Sequence, residues 1–177
     1  MLKTILTYGL IAGLIAGVPL TIFTLTIDGD DMMQWGMLVG YGLMLLAFTT
    51  IFIAIKQRRD GPCGGVIRFW PAFALGLGIS FVAGILYVIA WEIGQALSGS
   101  DFAATYANAL IAQQKAAGVN GAALKRYAAE MEEFRRSYAD PLFRLPMTFA
   151  EIFPVGVLVS LVAAALLRNP RFLPAVR

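Results

Sequence analysis

Apolar residues in this chain run in long unbroken blocks. Thr4–Ile27 contains no charged residue over 24 positions, Met32–Ile55 none over 24, and Phe69–Trp91 none over 23. A helix needs about 20 mostly apolar residues to cross the hydrocarbon core of a bilayer. A fourth block, Leu145–Leu167, is interrupted by one charge, Glu151. The pattern predicts four transmembrane helices, over about 4–27, 32–55, 69–91 and 147–168. The first block follows Lys3 as a signal peptide would, but it is longer than the usual 7–15 residue apolar region and no clear small-residue cleavage site follows. It is therefore read as a retained span.

Between the third and fourth blocks the pattern changes period. Asp101 follows Ser98, Gly99 and Ser100 as a helix-start signal, and Phe102, Tyr106 and Leu110 then step by four. Gly118 ends that stretch. Asn120 is placed to cap a second one, in which Leu124, Tyr127, Met131, Phe134 and Tyr138 step by three and four until Asp140-Pro141 closes it. The insert at about 98–140 is thus expected to be a helical hairpin outside the membrane. It is either a lid over a cavity or, on the blander reading, a connector or a surface helix pair. The expected fold is all-α: an integral membrane four-helix bundle in one domain, with an extracytoplasmic helical hairpin between spans three and four.

Charge then orients the chain. Lys3 precedes span one; Lys56, Arg58, Arg59 and Arg68 lie between spans two and three against Asp60 alone; Arg168, Arg171 and Arg177 follow span four. The short connection after span one carries Asp28, Asp30 and Asp31 and no base. Lysine and arginine in short flanking segments favour the cytoplasmic side. Both termini are therefore expected in the cytoplasm, as in a multi-pass protein of a bacterial inner membrane. Trp35, Trp70, Tyr87 and Trp91 fall near span ends, where aromatic belts form.

Composition agrees and removes several chemistries. Hydrophobic residues make up 59% of the chain and charged residues only 14%, against about a quarter in soluble domains. There is one cysteine, Cys63, so no intrachain disulfide, and no histidine, so the commonest metal ligand and general base are missing. No cofactor is called for. The net charge of +3 sits at membrane boundaries, which speaks for topology and against a nucleic-acid partner. The expected partners are membrane lipids and either a second copy or another membrane protein.

Small residues four apart recur in every span: Gly9, Gly13 and Gly17; Gly36 and Gly40; Gly76, Ser80 and Gly84; Gly156, Ser160 and Ala164. Such strips let helix backbones approach closely where lipid supplies no hydrophobic drive. They are read first as internal packing and second as a homodimer surface.

Three features invite a functional reading. The turn from Lys56 to Arg68, with Gly61, Gly64 and Gly65, either presents backbone amides to an anion or, as favoured here, sets Lys56, Arg58, Arg59 and Arg68 against lipid headgroups. It lacks the Lys-Ser/Thr of a P-loop. The other two features are Glu92, at the end of span three, and Glu151, inside span four. Charges in spans mark function by default. Glu151 also has a structural explanation, because Thr148-Phe149-Ala150-Glu151 fits a capping box that would start the helix at Thr148. Alternatively the two glutamates flank one outward-facing cavity and bind a cation, a proton or a basic ligand group.

The order of short motifs is distinctive: a glycine-rich first span; Gly40-Tyr41; Lys56 to Gly65; Ala72-Phe73 with Gly76; Tyr87 and Trp91-Glu92; Met131, Phe134 and Tyr138; Pro141; Met147-Thr148-Phe149; and Glu151, Pro154 and Gly156. Over nearly the whole chain this resembles the bacterial membrane family called domain of unknown function 4199. The resemblance implies an inner-membrane protein of four spans and brings no activity or site residue. Three functions remain, in this order: a non-enzymatic scaffold, partner subunit or lipid-interacting component; a small oligomeric transporter or channel with an outward acidic site; and a membrane-embedded enzyme resting on Glu92, Glu151 and Asp140 or Arg144.

Overall fold

The computed structural model describes residues 1–26, 29–99 and 101–174, with 29–34 described as backbone only. Ile27, Asp28, Ser100 and Arg177 lie outside the described residues, as do the side chains of Asp30 and Asp31. The described residues form six helices and no strand: α1 (Leu2–Thr26), α2 (Gly29–Asp60), α3 (Phe69–Ser98), α4 (Phe102–Ala116), α5 (Gly121–Ala139) and α6 (Pro141–Leu167). Four of them (α1, α2, α3 and α6) are long and apolar enough to cross a membrane, as expected of a multi-pass membrane protein.

The helices outrun the charge-free blocks. Helix α3 continues past Trp91 to Ser98 and stops where Gly99 turns left-handed at φ 63°. Helix α6 begins at Pro141, with the Asp140 carboxylate accepting from the Leu142 amide at 2.9 Å. The block boundaries mark where the chain leaves hydrocarbon, and helical hydrogen bonding has no reason to stop there.

The early start of α6 overturns the capping box. Thr148 lies inside the helix, and its hydroxyl donates to the Arg144 carbonyl one turn back at 3.0 Å. Glu151 is more than two turns from the helix start and caps nothing. Asp140-Pro141 supplied a stronger start signal upstream, and Pro146 removes only one amide from the ladder without ending it. Asn120 likewise precedes α5 without a side-chain capping bond. Asp101 does cap α4, accepting from the Ala104 amide at 2.9 Å.

Glycines set the packing. A Cβ built on Gly9, Gly13 or Gly17 of α1 would lie 2.6, 2.6 and 2.8 Å from Val82, Leu86 and Ala90 of α3, so these two helices run parallel in close contact. Between α3 and α6 the match is reciprocal. A Cβ on Gly76 would meet the Ser160 hydroxyl at 2.6 Å, and one on Gly156 would meet the Ser80 hydroxyl at 2.5 Å. Each serine donates to the carbonyl four residues earlier, leaving no polar group unsatisfied at the contact. Helix α2 closes the ring between α1 and α6. One face of the molecule carries the start of α1, the turn between α2 and α3, and the end of α6; Tyr8 donating to Gln57 at 2.7 Å holds two of these ends together. The opposite face carries α4 and α5, which pack on each other.

Helix α2 is packed along only part of its length. Met44, Ala47, Phe48, Ile51, Ala54 and Ile55 are fully buried, yet no residue from Trp35 to Leu43 is. Met37 and Leu38 are 73% and 68% exposed. The small-residue strip of α2 is not used for internal packing at Gly40, where a Cβ would meet nothing within 4 Å.

Candidate functional site

The charged residues of the spans gather at the α4–α5 face. Glu92 lies one residue beyond Trp91 on α3, and Arg144 lies in the first turn of α6. Their side chains meet as a two-pronged pair: Arg144 Nε donates to Glu92 Oε1 at 2.7 Å, and Nη2 donates to Oε2 at 2.6 Å. The fork geometry of a guanidinium suits this arrangement. The third guanidinium nitrogen, Nη1, donates to the Tyr138 carbonyl at 3.2 Å, and the group lies 5.8 Å from the Tyr138 ring centre. Trp91 Nε1 donates to the Tyr138 hydroxyl at 2.8 Å. Burial is the main influence on the Tyr138 phenol and raises its pKa against the opposing pull of the Trp91 bond and of Arg144. Phe102 completes the corner, packing edge-on to Trp91 at 4.9 Å. Four helices are thus pinned at one point.

Two cavities adjoin the Glu92–Arg144 pair. On the Arg144 side, a polar cavity of about 350 Å³ is walled by Asp101, Glu132, Arg135, Arg136 and Gln95. On the Glu92 side, an apolar groove of about 620 Å³ runs between Ile85, Ile89 and Ile93 of α3 and Leu142, Leu145 and Phe149 of α6.

Glu151 lines neither cavity. It is exposed on α6, with no hydrogen bond or ion pair among the described residues. By helical rise it stands about 24 Å from the end of α6 at Leu167, a distance shorter than the roughly 30 Å thickness of a hydrocarbon core. Neither of these two cavities holds both glutamates. Glu92 has Arg144, and Glu151 faces outward. The sequence reading named Arg144 but missed its partner, because 52 residues and two helices separate them. The available signal was a lone arginine within one turn of the helix start, on the same face as a lone glutamate.

The basic turn at the opposite face also divides. Lys56 and Arg59 both pair with Asp60, the latter at 2.6 Å. Arg59 is fully buried, donating from Nη1 to the Phe172 carbonyl at 2.8 Å and from Nη2 to the Leu173 carbonyl. It holds the segment after α6 and presents nothing to headgroups, a correction to its reading as a lipid contact. Arg68 is exposed and Arg58 half-buried, with Arg58 Nε enclosed and lacking a hydrogen-bond partner. The amides of Gly61, Cys63, Gly64 and Gly65 all donate to backbone carbonyls, the last to Arg59 at 2.7 Å, so they form no anion nest. Gly64 and Gly65 adopt φ 62° and 92°, which lets the chain fold back on the end of α2. Among the described residues no three acidic, cysteine or histidine side chains cluster as metal ligands.

No curated protein and no solved structure matches the chain at a significant level. One family model does match, over residues 7–169, from within α1 to just past the end of α6. The chain belongs to the family described as protein of unknown function, DUF4199.

Proposed function

We propose that this protein is a non-enzymatic membrane component, a partner subunit that binds a transmembrane helix of another protein along the open face of α2 and α6. In this reading the four long helices form a bundle in a bacterial inner membrane, both termini are cytoplasmic, and α4 and α5 form an outward hairpin. The carrying observation is Glu151: a carboxylate at membrane depth, exposed and without a partner among the described residues. Such a group is costly in lipid and marks function by default. The unpacked stretch of α2 supports the same face, since Met37, Leu38 and Tyr41 are exposed and Gly40 and Gly42 leave room for a close backbone.

Charge argues for a different protein over a second copy. The spans contain no lysine or arginine at the depth of Glu151, so another copy offers only a like charge. A partner helix bearing a basic or hydrogen-donating side chain would neutralise it. The basic segments at the cytoplasmic face, Lys56, Arg58 and Arg68 among them, suit anionic lipid and fix orientation.

The test is photo-crosslinking in native membranes. A photoreactive residue at Tyr41 is expected to give one discrete adduct whose added mass is not 19.1 kDa, the mass of a second copy. The same group at Ile53, exposed on the packed half of α2, should give none. Glu151→Leu should abolish the adduct at Tyr41. An adduct that survives this substitution, or none at all, defeats the reading.

A further inference from the structure

The Glu92–Arg144 corner has a second property, independent of any partner at Glu151. Apolar space lies on one side of the pair and polar space on the other. The groove between α3 and α6 runs from Ile85 to Ile93, about 12 Å along the helix by rise. Ile85 is about 24 Å from the start of α3 at Phe69, so the groove occupies the outermost part of the leaflet and reaches the water boundary. At that boundary it ends on Glu92. Glu92 is neutralised by Arg144, whose guanidinium lines the polar cavity beyond.

The polar cavity is rich in exchangeable donors. Arg135 pairs with Asp101 and Glu132 at 3.3 and 3.4 Å, and Arg136 with Glu132 at 3.3 Å. These pairs are long and solvent-exposed, Arg136 at 79%, so each contributes little and yields readily to a competing anion. The sequence of environments is therefore apolar groove, neutral ion pair, then a polar cavity in which Arg135, Arg136 and Arg144 outnumber Asp101 and Glu132. That is the order of an acyl chain, a glycerol backbone and a phosphate.

We infer that the corner is a phospholipid site: one acyl chain lies in the groove between Ile89 and Leu145, and the phosphate is held from the side of Arg135 and Arg136. The groove lies where α3 and α6 already touch at Gly84 and Phe149. A free phosphate would leave the groove unfilled. Lipid is also the solvent of this surface, so occupancy requires only that the site outcompete neighbouring bilayer positions.

The experiment uses the full chain reconstituted in phosphatidylcholine vesicles containing a trace of phosphatidylglycerol with a diazirine on one acyl chain. Labelled peptides are mapped by mass spectrometry. Labels should concentrate on Ile85–Ile93 and Leu142–Phe149 over equally exposed positions such as Ile22 and Leu38. Ile89→Trp fills the groove from an exposed position, so folding should persist, as circular dichroism would verify. It occupies the space an acyl chain would take, so labelling of these peptides should fall to the level seen at Ile22 and Leu38. A diacylglycerol with the same reactive chain tests the phosphate. It should label the groove less than phosphatidylglycerol does, and Arg135→Gln with Arg136→Gln should erase that difference. Labels spread evenly over all four spans, or unchanged by Ile89→Trp, overturn the site. Equal labelling by the diacylglycerol overturns the phosphate assignment.

Discussion

Two acidic residues lie toward the same end of the long helices and have opposite fates. Glu92 is paired with Arg144, which Tyr138 and Trp91 tie into a hydrogen-bond network spanning α3, α5 and α6. Glu151 is two turns further along α6 than Arg144 and has no counter-charge among the described residues. The packing around them differs in the same sense. Behind Glu92, α3 and α6 touch at Gly84 and Phe149, whereas the stretch of α2 beside Glu151 is bare from Trp35 to Leu43. A charge near lipid that the fold has paired is a structural element. A charge the fold has left unpaired is the group that the proposed partner helix would meet.

The sharpest way to break this comparison is Arg144→Gln. It strands Glu92 in a setting where the two side chains are only 30% and 20% exposed, and it frees the Tyr138 carbonyl. Loss of one partner from a buried pair costs 3–5 kcal/mol, so with partial exposure a destabilisation of about 2–3 kcal/mol is expected. Denaturant titration of the detergent-solubilised protein would measure it. Adding Glu92→Gln should recover part of the loss, because the stranded charge is then gone. An unchanged midpoint for the single variant would remove the corner from the structural account. Glu151→Leu should act in the opposite direction, raising the stability of the isolated chain by about 1–2 kcal/mol in a bilayer, since it removes a carboxylate from hydrocarbon. A destabilisation there would mean that Glu151 already has a partner within its own chain or a second copy.

These fates were only partly legible in the sequence. The four long apolar helices and the two helices of the insert follow from block length and local spacing, both written in consecutive residues. The Asp101 cap and the Asp140-Pro141 stop are equally local. What failed was competition between local signals: Thr148 to Glu151 makes a valid capping box, yet Asp140-Pro141 starts the helix first. What was missed was pairing at a distance. Nothing near Glu92 announces Arg144, and nothing near Arg59 announces the Phe172 and Leu173 carbonyls, because these meetings depend on how α6 docks. The small-residue strips were read alike in all four spans, but whether a strip is filled depends on its neighbour, and α2 has none at Gly40.

Glycine substitutions test that last difference at the smallest scale. A Cβ at Gly84 would come within 2.6 Å of the Phe149 ring, which is already stacked on Phe153 at 5.0 Å and flanked by Phe81. The ring cannot retreat freely, so Gly84→Ala is expected to cost about 1–2 kcal/mol. Gly40→Ala adds a methyl where nothing lies within 4 Å, and it removes the backbone entropy of a mid-helix glycine. It should therefore stabilise the isolated chain by about 0.5–1 kcal/mol. The same methyl would stand between α2 and any helix seated against it. If the open face is an interface, Gly40→Ala should raise the unfolding midpoint of the purified protein while weakening the crosslink from Tyr41. A gain in both would mean that the strip of α2 faces lipid alone.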